Sequence, residues 1–169
     1  MINPSNALSC LRLPLAFCFL IENSIVRLLV VLLAMITDII DGYLARRYKY
    51  TSKLGAALDP IMDKFFVYFV LSVLFFQQKI ELWEAATMIA RDFFLFGFGI
   101  YLLLTKRWKS FEFHSVRWGK VTTGAQFIVI ISLIFLPSIP SALYFLFIFF
   151  GLFTFLELLI QELRSPAKQ

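Results

Sequence analysis

Six apolar runs, at roughly 6–22, 25–47, 57–77, 82–104, 119–136 and 141–161, take up most of this 169-residue chain. No other feature limits the fold as much. Barrel strands are segments of about 9–11 residues with alternating polarity, and these runs are longer and continuous. A soluble domain of this length cannot hide so much apolar surface in one core. Charged residues make up 16% of the chain, below the roughly 25% of a soluble domain. The pattern predicts an all-α integral membrane protein with six transmembrane helices, residues 1–169 forming one domain in the lipid bilayer. The opening "MINPSNALSC" has no basic n-region, so a cleavable signal peptide is not expected.

The connectors alternate in charge. Arg46, Arg47, Lys49 and Lys53 follow the second run, Lys106, Arg107, Lys109, Arg117 and Lys120 lie between the fourth and fifth, and Arg164 and Lys168 close the chain. The segments "IEN", "QQKIELWE" and "PSIPS" hold only Lys79 as a basic residue. The positive-inside rule then predicts cytoplasmic termini and a cytoplasmic Asp38–Asp63 region. The net charge of +5 marks this orientation and no nucleic-acid partner, because the basic residues form no soluble patch. The first run contains Arg12 and Pro14 and reaches only about 25 Å as a helix, against roughly 30 Å of hydrocarbon. It is expected to begin at the membrane surface and bend inward at the proline.

Four aspartates stand at the edges of two apolar runs. At about 100° per residue, Asp38 and Asp41 share a helix face that continues through Gly42, Ala45 and Arg46. In the next run Gly55, Asp59 and Asp63 recur at i, i+4 and i+8, and an antiparallel turn around "YKYTS" lets the two stripes face each other. Carboxylates gathered in poorly solvated surroundings raise one another's pKa values. Two hard divalent cations resolve that conflict, and all-oxygen ligation favours Mg²⁺ or Mn²⁺. The small residues leave room for a ligand at the backbone, and Arg46 offers a fork suited to phosphate. Acids inside membrane segments are costly and usually functional, so a purely structural role for the whole set is disfavoured. A cation-binding or transport site uses the same acids without catalysis, although Arg46 and the small residues fit it poorly.

The stretch "DIIDGYLARRYKYTSKLGAALDPIMD" resembles the signature of the CDP-alcohol phosphatidyltransferase family, D-x2-D-G-x2-A-R-x8-G-x3-D-x3-D, at every fixed position. The resemblance implies an enzyme of a bacterial inner membrane that moves a phosphatidyl group from CDP-diacylglycerol to an alcohol and releases CMP. It implies that Asp38, Asp41, Asp59 and Asp63 hold two divalent metals and that Asp63 is the general base. Gly42, Ala45, Arg46 and Gly55 would line the CDP-lipid site. A cytoplasm-facing polar active site and a homodimer are also implied.

Two further segments bear on the acceptor. "NPSNALSCLR" and "GKVTTGAQ" resemble the N-x-x-N-x-L-[ST]-x-x-R and G-K-x-[KT]-T-x-x-Q stretches of the branch of that family whose acceptor is glycerol 3-phosphate. "IARD" stands where that branch commonly reads Ala-Arg-Glu. A dianionic acceptor needs cations besides the metals, and Lys120, Arg91 and Arg117 are the candidates, with Arg12 as a further one. Arg91 falls inside the fourth run and therefore needs a partner. Asp92 points about 100° away on a helix and is not automatically that partner. The same chemistry with phosphatidylglycerol, as in a cardiolipin synthase, or with an inositol phosphate or serine as acceptor is the alternative.

Overall fold

The computed structural model describes residues 4–48, 53–105 and 117–164, and these residues form helices and short turns. The helices are α1 (Pro4–Cys18), α2 (Ser24–Tyr48), α3 (Lys53–Phe76), α4 (Leu82–Met88), α5 (Ala90–Leu104), α6 (Arg117–Phe135) and α7 (Ser141–Arg164). They divide into two compact units, one of Met1–Ile80 with Ile130–Pro137, the other of Glu81–Val129 with Ser138–Gln169.

In the first unit α1 packs against both α2 and α3. Phe17 of α1 meets Phe69 of α3 edge-on at 5.3 Å, and Ala16, Val31, Ala34, Phe66 and Val70 are buried around this seam. Local chemistry sets the ends. Asn23 starts α2 by accepting the Ile25 N–H at 2.9 Å and the Val26 N–H at 3.3 Å, as an N-cap asparagine does. Arg27, almost fully buried, returns from α2 and donates through Nε to the carbonyls of Phe19 and Ile21, each at 3.0 Å. It also donates to Gln77 Oε1 at 2.9 Å and lies over the Phe19 ring. Carbonyls released where α1 ends are thus satisfied by a side chain, and α1 stops at Cys18 rather than running on to residue 22. Cys18 is an exposed free thiol.

Helix α3 ends in a Schellman turn. Gln78 adopts φ 56°, its N–H bonds to Phe75 O at 2.9 Å, and the Lys79 N–H bonds to Leu74 O at 3.0 Å. That turn aims Lys79, whose Nζ donates to the carbonyls of Leu133 and Ile134 in the last turn of α6, at 3.1 and 3.5 Å. A cation is well placed at a helix C-terminus, where carbonyls lack intrahelical partners.

In the second unit the run 82–104, expected as one helix, is two helices bent by 55° at Ile89. No proline or glycine stands at the break. The Asp92 N–H turns to Ile89 O at 2.9 Å, and Gln126 Nε2 of α6 donates to Met88 O at 2.5 Å, in a buried contact. A side chain entering the helical ladder is a recognised cause of such kinks. Trp83 of α4 stacks on Phe145 of α7, and Phe98, Leu102 and Leu158 form the core where α5 meets α7.

By length and composition Ser141–Glu162 is long and apolar enough to cross a bilayer, and Leu82–Met88 with Ala90–Leu102 passes the same test as one bent span. Phe145, Phe149, Leu152, Leu156 and Ile160 of α7 are exposed, as a lipid-facing stripe requires.

Helices α5 and α7 come close together at Gly151. A Cβ there would stand 2.6 Å from Phe94 Cδ2 and 3.3 Å from Arg91 Cα. Gly151→Ala is expected to cost about 1–3 kcal/mol of stability. At Gly97, a Cβ meets no described atom within 4 Å, so Gly97→Ala should leave stability unchanged or slightly raised. Thermal unfolding of both variants in detergent checks the pair, and equal midpoints would remove the close approach as a constraint.

Candidate active site

Asp38 on α2 and Asp63 on α3 belong to the two acidic stripes, and the structure brings them to one guanidinium. Arg12 of α1 donates through Nη1 to Asp63 Oδ1 and through Nη2 to Asp38 Oδ1, the latter at 3.3 Å. The arginine side chain is 2% exposed, whereas the carboxylates are 38% and 41% exposed. The cation is therefore sealed inside the helix packing while the acids keep one side open to solutes. The planar fork of a guanidinium suits it to serve two carboxylates on different helices.

The stripes therefore converge at the first and last of their four acids, and α1 takes part in that convergence. The backbones of Asp41, Gly42, Ala45, Arg46, Gly55 and Asp59 are helical, but their side chains lie outside the described residues. Asp38 and Asp63 offer oxygen-only donors, partly exposed and within reach of one cationic group. That donor chemistry fits a hard divalent ion. Arg12 is a residue whose role sequence reasoning missed. It is a further candidate cation for the acceptor, and the structure pairs it with the acids. The signal was present, because a charge within an apolar run needs a partner.

The candidate cations of the second unit fare differently. Arg91, on the first turn of α5, is 14% exposed. Its Nη1 donates to Thr123 Oγ1 of α6 at 2.7 Å, and its Nη2 pairs with Asp92 Oδ1 at 3.2 Å. Asp92 therefore does reach Arg91, although the two are sequence neighbours on α5. Thr123 and Gln126 both belong to the "GKVTTGAQ" stretch, so two of its residues serve the segment around Arg91. The side chains of Arg117 and Lys120 lie outside the described residues.

Comparison with known proteins agrees with the motif. The profile of the CDP-alcohol phosphatidyltransferase family matches residues 2–158. A protein of Sodalis glossinidius named CDP-diacylglycerol–glycerol-3-phosphate 3-phosphatidyltransferase is 38% identical over 115 residues, covering 65% of this chain and 60% of its own length. A protein of the same name from Pectobacterium atrosepticum is 37% identical over 114 residues, with the same two coverages. One from Rickettsia felis is 35% identical over 91 residues, covering 52% of this chain and 50% of its own. The chain thus spans 60% of the length of the first two of these curated relatives.

Arg12 gives a prediction that needs no ligand. Arg12→Met leaves two carboxylates facing each other and should destabilise the protein by roughly 1–3 kcal/mol, less than a fully buried pair because the acids are part-exposed. Arg12→Lys should recover only part of the loss, since an ammonium lacks the fixed planar geometry and spread of a guanidinium. Thermal unfolding in metal-free detergent buffer measures both, and an unchanged midpoint in Arg12→Met would mean that the guanidinium ties nothing together.

Proposed function

The chain belongs to the CDP-alcohol phosphatidyltransferase family, and from that membership we propose that it transfers the phosphatidyl group of CDP-diacylglycerol to glycerol 3-phosphate. The products are phosphatidylglycerophosphate and CMP. One observation carries the reading: the family signature is present at every fixed position, and its first and last acids meet on Arg12. The names of the relatives and the two peripheral stretches, "NPSNALSCLR" and "GKVTTGAQ", support glycerol 3-phosphate as the acceptor.

Asp63 takes the proton of the acceptor hydroxyl, as a carboxylate within hydrogen-bond reach can. The hydroxyl oxygen attacks the lipid-bearing phosphorus, the bond to the CMP oxygen breaks, and CMP leaves with the electron pair. Asp38, Asp41, Asp59 and Asp63 would hold two divalent ions, Mg²⁺ or Mn²⁺, which neutralise the diphosphate and the departing CMP when bound. Gly42, Ala45 and Gly55 let the CDP moiety lie against the helix backbones, and Arg46 meets the diphosphate. Lys120, Arg91 and Arg117 supply positive charge for the acceptor's own phosphate.

The same reading covers the setting. On this reading the chain crosses six times, α4 and α5 together making one span, with both termini and the acids on the cytoplasmic side of a bacterial inner membrane, as the charge of the connectors supports. Residues 1–169 act as one domain, as a family match running through both compact units supports. The acyl chains stay in lipid while the polar acceptor arrives from water, and the chain works as a homodimer.

The test is CMP release by the purified full chain in detergent with CDP-diacylglycerol and Mg²⁺, comparing glycerol 3-phosphate with phosphatidylglycerol, inositol phosphate and serine. Release should require glycerol 3-phosphate, vanish with chelator, and fall by about 10²–10⁴-fold in Asp63→Asn. Release with a different acceptor would overturn the acceptor and keep the acid site. A folded protein that releases no CMP with any acceptor would sink the enzymatic reading.

A further inference from the structure

Thr123 and Gln126 stand three residues apart on one face of α6, and each holds a different part of the segment that carries Arg91. In an unbroken helix the Met88 carbonyl would accept the Asp92 N–H. Here that N–H goes to Ile89 O at 2.9 Å, and the carbonyl accepts Gln126 Nε2 at 2.5 Å. Met88 is fully buried and Gln126 is 3% exposed, so water cannot substitute for the amide. Arg91 is the second residue of α5, immediately past the 55° bend, and its direction follows from that bend. One turn earlier on α6, Thr123 Oγ1 accepts from Arg91 Nη1 at 2.7 Å, while Asp92 takes Nη2 at 3.2 Å. Behind the arginine, α7 passes so close at Gly151 that a Cβ would stand 3.3 Å from Arg91 Cα.

We propose that Gln126 and Thr123 are positioning residues for Arg91: the Gln126 amide holds the α4–α5 break, and the Thr123 hydroxyl sets the plane of the guanidinium presented to a phosphate monoester. The inference rests on Arg91 being a cation for the acceptor's phosphate, and it adds how that cation is aimed. Guanidinium–phosphate recognition is planar and directional, so a fixed plane governs affinity where a mobile point charge would not. Neither residue touches the reacting atoms on this account. Their effect should fall on one substrate only.

The experiment is steady-state kinetics of the full chain with glycerol 3-phosphate and CDP-diacylglycerol varied in turn. The variants are Gln126→Met, which keeps the length and removes the donor, together with Thr123→Val, Thr123→Ser and Arg91→Gln. Gln126→Met and Thr123→Val should each raise KM for glycerol 3-phosphate by roughly tenfold and leave KM for CDP-diacylglycerol within about twofold. Thr123→Ser, which restores the hydroxyl, should return close to the parent value. A lower thermal midpoint with both KM values unchanged, or an equal rise for both substrates, would make the two residues purely structural and overturn the inference. If Gln126→Met does not fold, Thr123→Val carries the same test, because it touches the guanidinium and not the break. Arg91→Gln separates the two levels. If it raises KM for glycerol 3-phosphate while Gln126→Met and Thr123→Val do not, the positioning role falls and Arg91 keeps its phosphate. If Arg91→Gln leaves that KM unchanged, the phosphate reading falls and the positioning role with it.

Discussion

A chain this apolar has little water to complete its hydrogen bonds, so each buried charge and each carbonyl outside the helical ladder needs an internal partner. That requirement organises both units. Arg12 pairs through its two Nη groups with Asp63 and Asp38, which ties α1 to α2 and α3 at the candidate active site. Arg27 takes the carbonyls at the far end of α1 and the side chain of Gln77 at the end of α3. The first helix is thereby held at two places by arginines with opposite tasks, one neutralising acids and one capping backbone. Lys79 repeats the second task on the last turn of α6.

In the second unit the same requirement acts on a carbonyl. Met88 O leaves the ladder at the bend, and Gln126 replaces the lost N–H. A break made this way depends on a contact between distant segments, unlike a proline kink, which is written into one residue. The start of α5, and with it Arg91, therefore takes its direction from α6.

This difference explains what could be read from the sequence. The helices were legible because long apolar runs bounded by polar connectors permit little else. The acidic stripes were legible because 100° per residue brings Asp38 to the face of Asp41 and Asp63 to that of Asp59. The break at Ile89 was not, since no proline or glycine marks it and Gln126, which takes the freed carbonyl, lies 38 residues beyond Met88. The end of α1 fell short of residue 22 because Arg27 satisfies the carbonyls there, a contact invisible to hydropathy. Arg12 was noticed as a cation, but its destination depended on three helices meeting. The "GKVTTGAQ" resemblance singled out a segment, two of whose residues bond to Arg91 and to Met88 O. What it could not convey is that Thr123 and Gln126 serve Arg91 and the bend beside it.

The Arg12 pairing also limits how α1 can move by itself. Arg12 precedes Asp38 by 26 residues and Asp63 by 51, so one side chain closes two long loops of the chain. A lone guanidinium is costly in hydrocarbon, so a shift of α1 that parted Arg12 from the acids would strand the charge. Displacing α1 therefore also alters the charge balance around Asp38 and Asp63.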